Sequence, residues 1–478
     1  MRPLPLVLLS LAPACLQARE RPNVLFIAVD DLRPTLGCYG DRLAITPNID
    51  ALASEGTCFT RAYCQQALSG PTRASMFTGL RPEEVGVTEL NTPMRQRNPD
   101  VVTLPQAFRE NGYRTVGTGK IFHGDVNGAD SLSWSVPPSR YRYNRDNEYM
   151  LPGNRKSGGK SVSFEFADAP DSLYIDHGTA SAAIDSLSRL GDEPFFLAVG
   201  FLKPHLPFCA PERFFDLYEK TDFGLASAQR DSIIDAPSIS YHNSDELRGY
   251  TDIPETGPMT DAQEAALRRA YYSCVSFTDA QVGRLVEALK ARGLYENTII
   301  VLWGDHGYHL GERSLWCKST NYEAACRVPL IVRVPQKYLS GRGAAGKKAG
   351  DMVECVDIYP SLLELCGMNS LQPLSGSSFV NVLEGERGGK EYAVSQFPRP
   401  YSALHRASAR RQMGYAIRDR RFRLVEWYDS SSGEQVATEL YRLRGKSPVE
   451  SRNLSGRRAF KADEERLSSA LLDFLPTK

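Results

Sequence analysis

The chain carries no surplus of charge of either sign: 57 of its 478 residues are Lys or Arg and 57 are Asp or Glu. No global field therefore draws it to nucleic acid or to an anionic membrane, and affinity for a polyanion has to be local to a pocket. Cysteine is sparse and unpatterned. The ten cysteines lack the spacing of a disulfide scaffold or of a Cys-ligated zinc site. Cys355 and Cys366, which flank an apolar helical stretch, are expected to be buried apolar positions. No internal repeat or low-complexity tract occurs, and no apolar run is long enough for a membrane-spanning helix. The short one that follows Arg2 and ends near Ala18 reads as a signal peptide, residues 1–18, and predicts export. The alternative is a lipid anchor on Cys15, for which Ala12-Pro13-Ala14 is a poor match.

What is present is a series of buried strands. Asn23–Val29, Phe195–Phe201 and Thr298–Leu302 are continuous apolar runs rich in β-branched and aromatic residues, the pattern of parallel strands covered on both faces. They alternate with amphipathic helices from about Arg21 to about Gly367, which predicts an α/β fold. Thr103-x-x-Gln106 reads as a capping box opening a helix over Val101–Asn111. The longest helix, Thr260–Arg292, is expected to be broken or bent and to serve packing. The stretch 125–159 is rich in Pro, Gly, Ser, Tyr and Arg and reads as a binding loop or lid. In it Tyr141, Arg142, Tyr143 and Arg145 would meet sugar rings and carboxylates, or else lie on a surface loop without contacts. Beyond a charged linker, Glu384–Lys390, Arg421–Trp427 alternates like a half-exposed strand, Glu439–Leu443 reads as another, and a helix closes the chain. This predicts one large domain over 21–385 and a small antiparallel α+β subdomain over 391–478.

Chemistry-bearing residues collect where the strands end. The first strand runs into Asp30-Asp31 and a later one into Trp303-Gly304-Asp305-His306-Gly307. The carboxyl ends of strands are where open α/β sheets bind ligands. Three carboxylates and one imidazole suit a hard divalent cation, Ca2+ or Mg2+ ahead of Zn2+, with Mn2+ also tolerating the imidazole. The plainer reading of an Asp pair is a solvated turn. Cationic groups follow other strands: Lys120 and His123 in Gly117-Thr118-Gly119-Lys120-Ile121-Phe122-His123, Lys203 and His205 in Lys203-Pro204-His205-Leu206-Pro207, and Lys318 in Trp316-Cys317-Lys318. Singly, each lysine reads as a surface residue and each histidine as structural. Together they offer donors for an oxyanion that gains charge in transfer, and an acid for a departing alkoxide.

One helix opens with Ser69-Gly70-Pro71-Thr72-Arg73, continued by Ala74-Ser75-Met76-Phe77-Thr78-Gly79. Pro71 suits a first turn, where a missing N–H costs nothing, and the helix N-terminus favours an anion near Ser69. Ser69 as a simple helix cap is the alternative. The pentapeptide and its tail resemble the signature of the sulfatase family, in which Cys or Ser at the first position is oxidised to formylglycine, whose hydrate attacks sulfur. Asp30-Asp31-Leu32-Arg33-Pro34, Thr46-Pro47-Asn48-Ile49-Asp50, Gly119-Lys120-Ile121-Phe122-His123, Lys203-Pro204-His205-Leu206-Pro207 and Ser395-Gln396-Phe397-Pro398-Arg399-Pro400 resemble its iduronate-2-sulfatase branch in particular.

The resemblance implies an alkaline-phosphatase-like large mixed sheet flanked by helices, with a small C-terminal subdomain. It implies one divalent cation, Ca2+ first, held by Asp30, Asp31, Asp305, His306 and the modified Ser69. Arg73, Lys120 and His123 would support the formylglycine, His123 assisting release of sulfate. His205 and Lys318 would grip the sulfate, with His205 the acid on the leaving oxygen. The implied substrate is a sulfated glycan oligosaccharide, and the implied reaction removes the 2-O-sulfate of a terminal uronate in heparan, heparin or dermatan fragments. Serine in place of cysteine implies a bacterial, periplasmic enzyme matured by a radical S-adenosylmethionine enzyme. Two rivals stay open: a phosphatase or phosphodiesterase using unmodified Ser69, and a silent glycan-binding homologue. Neither the sugar nor the oligomeric state has a signature in the chain.

Overall fold

The computed structural model describes residues 21–475 apart from 125–129, 140–147, 156–158, 192, 342, 344, 444 and 446–448. The expected signal peptide with Cys15, and Tyr141, Arg142, Tyr143 and Arg145 of the 125–159 stretch, lie outside the described residues. Strands β1 (Asn23–Val29), β2 (Thr57–Tyr63), β3 (Arg114–Gly119), β4 (Phe164–Ala167), β5 (Phe195–Phe201), β6 (Phe208–Pro211), β7 (Thr298–Gly304), β8 (His309–Leu310), β9 (Trp316–Cys317), β10 (Arg327–Arg333) and β11 (Lys347–Glu354) precede residue 355. Seven of them form one sheet in the order β11-β2-β10-β7-β1-β5-β3. Only β10 runs antiparallel to its neighbours. The sheet is mixed, as expected.

Period-two alternation explains the apolar runs. In β1, Val24, Phe26 and Ala28 face one layer, where Phe77 of a short helix and Trp303 pack on them. Leu25, Ile27 and Val29 face the other, against the helices Pro47–Glu55 (α1), Ile175–Arg189 and Asp261–Ala291. Both faces are covered, so no position in the strand has to be polar. The helix Asp261–Ala291 is a single uninterrupted element, which corrects the expectation of a break. Thr260 and Gln263 close a full capping box at its start. Thr103 does cap the helix Leu104–Glu110, but the Gln106 side chain turns away to Glu110 and Arg95, so that box is only half formed.

Four more strands, β12 (Ala393–Arg399), β13 (Gln412–Arg418), β14 (Phe422–Asp429) and β15 (Gln435–Arg442), make an antiparallel sheet in sequence order. The helix Lys461–Leu472 covers one face, with Leu467 and Leu471 on Phe422, Leu424 and Ile417. β14 is more buried than its alternation suggested. Its other face carries Arg423, whose guanidinium donates to Asn321 O at 2.9 Å and to Glu323 at 2.7 Å. An apparently exposed polar face is thus closed by the segment after β9. Arg399 and Gly414 also bond that segment, at Ser319 and Asn321. The C-terminal sheet therefore braces the loop that carries Lys318. All nine cysteines of the described residues are free thiols, and Cys355 and Cys366 are buried.

Candidate active site

The two acidic strand ends meet because β1 and β7 are adjacent and parallel, with Val29 opposite Gly304. Asp30 and Asp31 therefore emerge beside Asp305 and His306, and all four are fully buried. Asp31 takes a left-handed backbone (φ 59°), its N–H donating to Asp305 Oδ1 at 3.0 Å and its carbonyl accepting from Tyr271 Oη at 2.7 Å. Gly307 is required next to the pair, because a Cβ there would meet Ala324 O at 2.1 Å. The His306 ring has one assigned proton. Its Nδ1 lies 3.0 Å from Gly307 O, which only accepts, so Nδ1 carries the hydrogen. Nε2 then faces Asp31 Oδ1 at 3.3 Å, and a lone pair so close to a carboxylate needs a cation or a second proton between them. One ligand atom from each of Asp30, Asp31, Asp305 and His306 lies within 4.8 Å of the others. This donor set fits a single hard divalent cation.

Ser69 is the first residue of the helix Ser69–Thr78 (α2), and the whole helix is buried. Its hydroxyl makes no cap bond; it lies 2.9 Å from Asp30 Oδ1 and 3.1 Å from His306 Nε2. The simple cap reading is therefore set aside, because the side chain turns toward the carboxylates and away from its own helix. Four residues on, Arg73 donates from Nε to Asp305 Oδ2 at 2.9 Å and from Nη2 to Asp30 Oδ1 at 3.1 Å. Its Nη1 is tied to the carbonyls of Lys120 and Ile121. Thr72 Oγ1 also donates to Asp305 O at 2.8 Å. The helix is thereby locked to both acidic strand ends.

Lys120 comes in from the end of β3 and bonds Asp30 Oδ2. It passes close over Gly200, where a Cβ would lie 2.0 Å from Lys120 O. Burial alone would raise the Asp30 pKa, but Lys120 and Arg73 outweigh it and hold the carboxyl well below its ordinary value. On the opposite side Lys318 donates to both oxygens of Asp31 at 3.0 Å and to Glu246 Oε1 at 2.8 Å. Burial opposes its charge, yet Asp31 and Glu246 hold the ammonium well above the usual lysine range. His205 donates from Nδ1 to Leu206 O at 2.6 Å, which leaves Nε2 facing Glu246 Oε1 at 3.3 Å. Asp31, His205 and Glu246 would by themselves suit a second cation, but the Lys318 ammonium already bridges Asp31 and Glu246. His123 sits beside Lys120; burial, then that positive charge, push its pKa down to about 3, so its ring is neutral.

A family model for sulfatases matches residues 22–368, and one for the C-terminal part of N-sulphoglucosamine sulphohydrolase matches 311–475. This chain belongs to the sulfatase family. Iduronate 2-sulfatase of Homo sapiens is 33% identical over 87% of this chain and 86% of its own length. A sulfatase of Formosa agariphila is 32% identical over 90% and 85%. Among solved structures, the phosphonate monoester hydrolase of Agrobacterium radiobacter superposes with a TM-score of 0.74 at 24% identity, covering 95% of each chain. BT4656 in complex with its substrate D-glucosamine-2-N,6-O-disulfate superposes at 0.73 and 23% identity, over 95% of this chain and 97% of its own. The fold is alkaline-phosphatase-like, and the enzyme is a sulfuric ester hydrolase. Family membership implies a formylglycine and a divalent metal.

In this sulfatase the structure brings Asp30, Asp31, Ser69, Arg73, Lys120, Asp305, His306, Lys318 and His205 into one connected cluster. His123, three residues from Lys120, borders it. Lys203 does not join. It turns inward, where its Nζ donates to Glu148 at 3.2 Å and to Pro207 O at 2.6 Å, and so braces the loop that presents His205. Sequence reasoning missed Glu246. It lies in His242-Asn243-Ser244-Asp245-Glu246, which follows no strand and reads as ordinary polar loop. Tyr271 was missed as well, since its helix was assigned to packing alone.

Proposed function

We propose that this sulfatase removes a sulfate ester from a sulfated glycosaminoglycan fragment, and that its preferred ester is the 2-O-sulfate of a terminal uronate. The observation that carries this reading is the 33% identity to iduronate 2-sulfatase over most of both chains. Once in place, formylglycine at position 69 supplies the nucleophile, and the cation supplies positive charge opposite the sulfate oxygens. Asp30, Asp31, Asp305 and His306 would hold that cation, and Ca2+ suits an oxygen-rich set ahead of Mg2+.

The surrounding side chains have separate tasks in this proposal. Arg73 and Lys120 keep Asp30 ionised and fix residue 69 at the mouth of the carboxylate nest. Lys318 and His205 grip the sulfate oxygens, which gain charge in transfer. With Nδ1 committed to Leu206 O, His205 offers Nε2–H to the leaving oxygen as general acid. The neutral ring of His123 accepts a proton as sulfate is released. Export to a periplasm and maturation by a radical S-adenosylmethionine enzyme are part of the same proposal, supported by the leader and by serine at position 69.

The test is co-expression with and without a serine-type maturase, followed by mass analysis of the Ser69 peptide and by sulfate release from defined oligosaccharides. Oxidation removes two hydrogens, a loss of about 2 Da, as a primary alcohol becomes an aldehyde. Matured protein should desulfate 2-O-sulfated terminal uronates faster than N- or 6-O-sulfated glucosamine. Equal rates on these sugars would reject the uronate assignment. Activity with Ser69 unmodified would reject the formylglycine.

A further inference from the structure

We propose that Glu246 is a charge filter, which lowers the positive charge of the pocket and so favours a monoanionic ester over dianions such as phosphate monoesters. This inference rests on the sulfatase reading above. Among the described residues around the place where the ester's oxyanion must sit, His123 keeps partial access to solvent, and so do Lys120, His205 and Glu246, with side chains 20%, 18% and 17% exposed. Lys120 and the two histidines suit an anion. Glu246 is a carboxylate, 2.8 Å from Lys318 Nζ and 3.3 Å from His205 Nε2, the two groups that have to grip the sulfate. A fixed negative charge in an anion pocket lowers the affinity for every anion, more for a dianion than for a monoanion, and so discriminates between them.

The charge count explains what it selects. Asp30, Asp31 and Asp305 are offset by Arg73, Lys120 and Lys318, all linked in one network. A divalent cation in the nest would leave a surplus of two positive charges, and the second ring proton that His205 carries as general acid makes it three. Glu246 lowers that surplus to two, and the charge it removes weakens the hold on a dianion more than on a sulfate monoester. Phosphate monoesters have a second pKa near 6 and are dianions at pH 8. Glu246 is ionised in this setting, because Lys318 and His205 outweigh the burial that would otherwise neutralise it. The filter senses net charge and is blind to whether the central atom is sulfur or phosphorus.

Binding to Ser69→Ala protein by calorimetry at pH 8 tests the filter without turnover. The probes are p-nitrophenyl sulfate, p-nitrophenyl phosphate as the dianion, and bis-p-nitrophenyl phosphate as a phosphorus monoanion. The dianion should bind more weakly than p-nitrophenyl sulfate in the Ser69→Ala chain. Adding Glu246→Gln, which keeps an acceptor for Lys318 and His205, should improve the dianion relative to both monoanions by at least about tenfold, as removal of one nearby charge implies. Glu246→Asp should keep the discrimination. A dianion that already binds as tightly as the sulfate ester overturns the filter. So does a Glu246→Gln change that affects all three probes alike, which would make Glu246 a positioning residue for His205. Failure of the sulfatase reading is distinguishable, because matured wild-type protein would then release no sulfate from any ester.

Discussion

Arg73 Nε donates to Asp305 Oδ2 across 2.9 Å, and both side chains are wholly shut off from solvent. The pair joins the helix that carries Ser69 to the strand end that carries His306. Arg73 also reaches Asp30, so one guanidinium sets the distance between nucleophile and both acidic strand ends. Its fork, fixed charge and flat face over Trp303, 5.9 Å away, have no substitute in a lysine.

Removing Arg73 takes the guanidinium from Asp305 and leaves Asp30 with Lys120 alone. Arg73→Ala should cost about 3–5 kcal/mol of stability, the usual loss on breaking a buried pair, and Arg73→Lys should recover little of it. Urea melts check this. A cost below about 1 kcal/mol would mean that the bound cation, not Arg73, carries the compensation.

The carboxylate nest should hold one divalent ion per chain. Chelation should lower both the melting temperature and the rate, since a ligand that binds only the folded state stabilises it. Asp305→Ala should lose the ion outright. Elemental analysis returning two zinc ions per chain would contradict the Lys318 bridge between Asp31 and Glu246.

His205 and His123 should be separable by leaving group. An alkoxide leaving a sugar needs a proton, and p-nitrophenolate does not. His205→Ala should therefore slow sugar sulfates about 100-fold more than aryl sulfates, the ordinary worth of general acid catalysis. His123→Ala should slow both alike. Parallel losses for His205→Ala would restrict that ring to gripping sulfate.

Acid should loosen the junction between the two sheets. Glu354 at the end of β11 accepts from Arg81 at 2.9 Å, from Lys390 and from the Val394 N–H of β12. Burial opposes its charge, but Arg81 and Lys390 hold its pKa down to about 2. A carboxyl depressed in the folded state adds stability that is fully present above its unfolded value and is lost as pH falls through the folded one. Its contribution, on the order of 3 kcal/mol, should disappear between about pH 4.5 and pH 2. Denaturant midpoints across that range should fall for wild type and fall less steeply for Glu354→Gln. Parallel slopes would exclude Glu354 as the source.

The amino-acid order alone determined three strands of the large sheet, β1, β5 and β7, the acids that end two of them and the Ser69–Arg73 signature. Each is a local pattern: apolar residues on both faces of a covered strand, and chemistry placed by covalent adjacency to the strand's last residue. Tertiary structure alone decided which of these ends are neighbours, through the order β7-β1-β5-β3. It also decided which lysines are sites. Lys318 and Lys203 are both buried after strand-like runs, yet one meets Asp31 and the other Glu148, partners that only the fold brings to them. Glu246 reached the site without any local mark, and β14 was buried on a face whose Arg423 looked solvated. A charged side chain is exposed or buried according to the partner that arrives from elsewhere in the chain, and for Glu246 and Arg423 those partners stand 72 and 100 residues away.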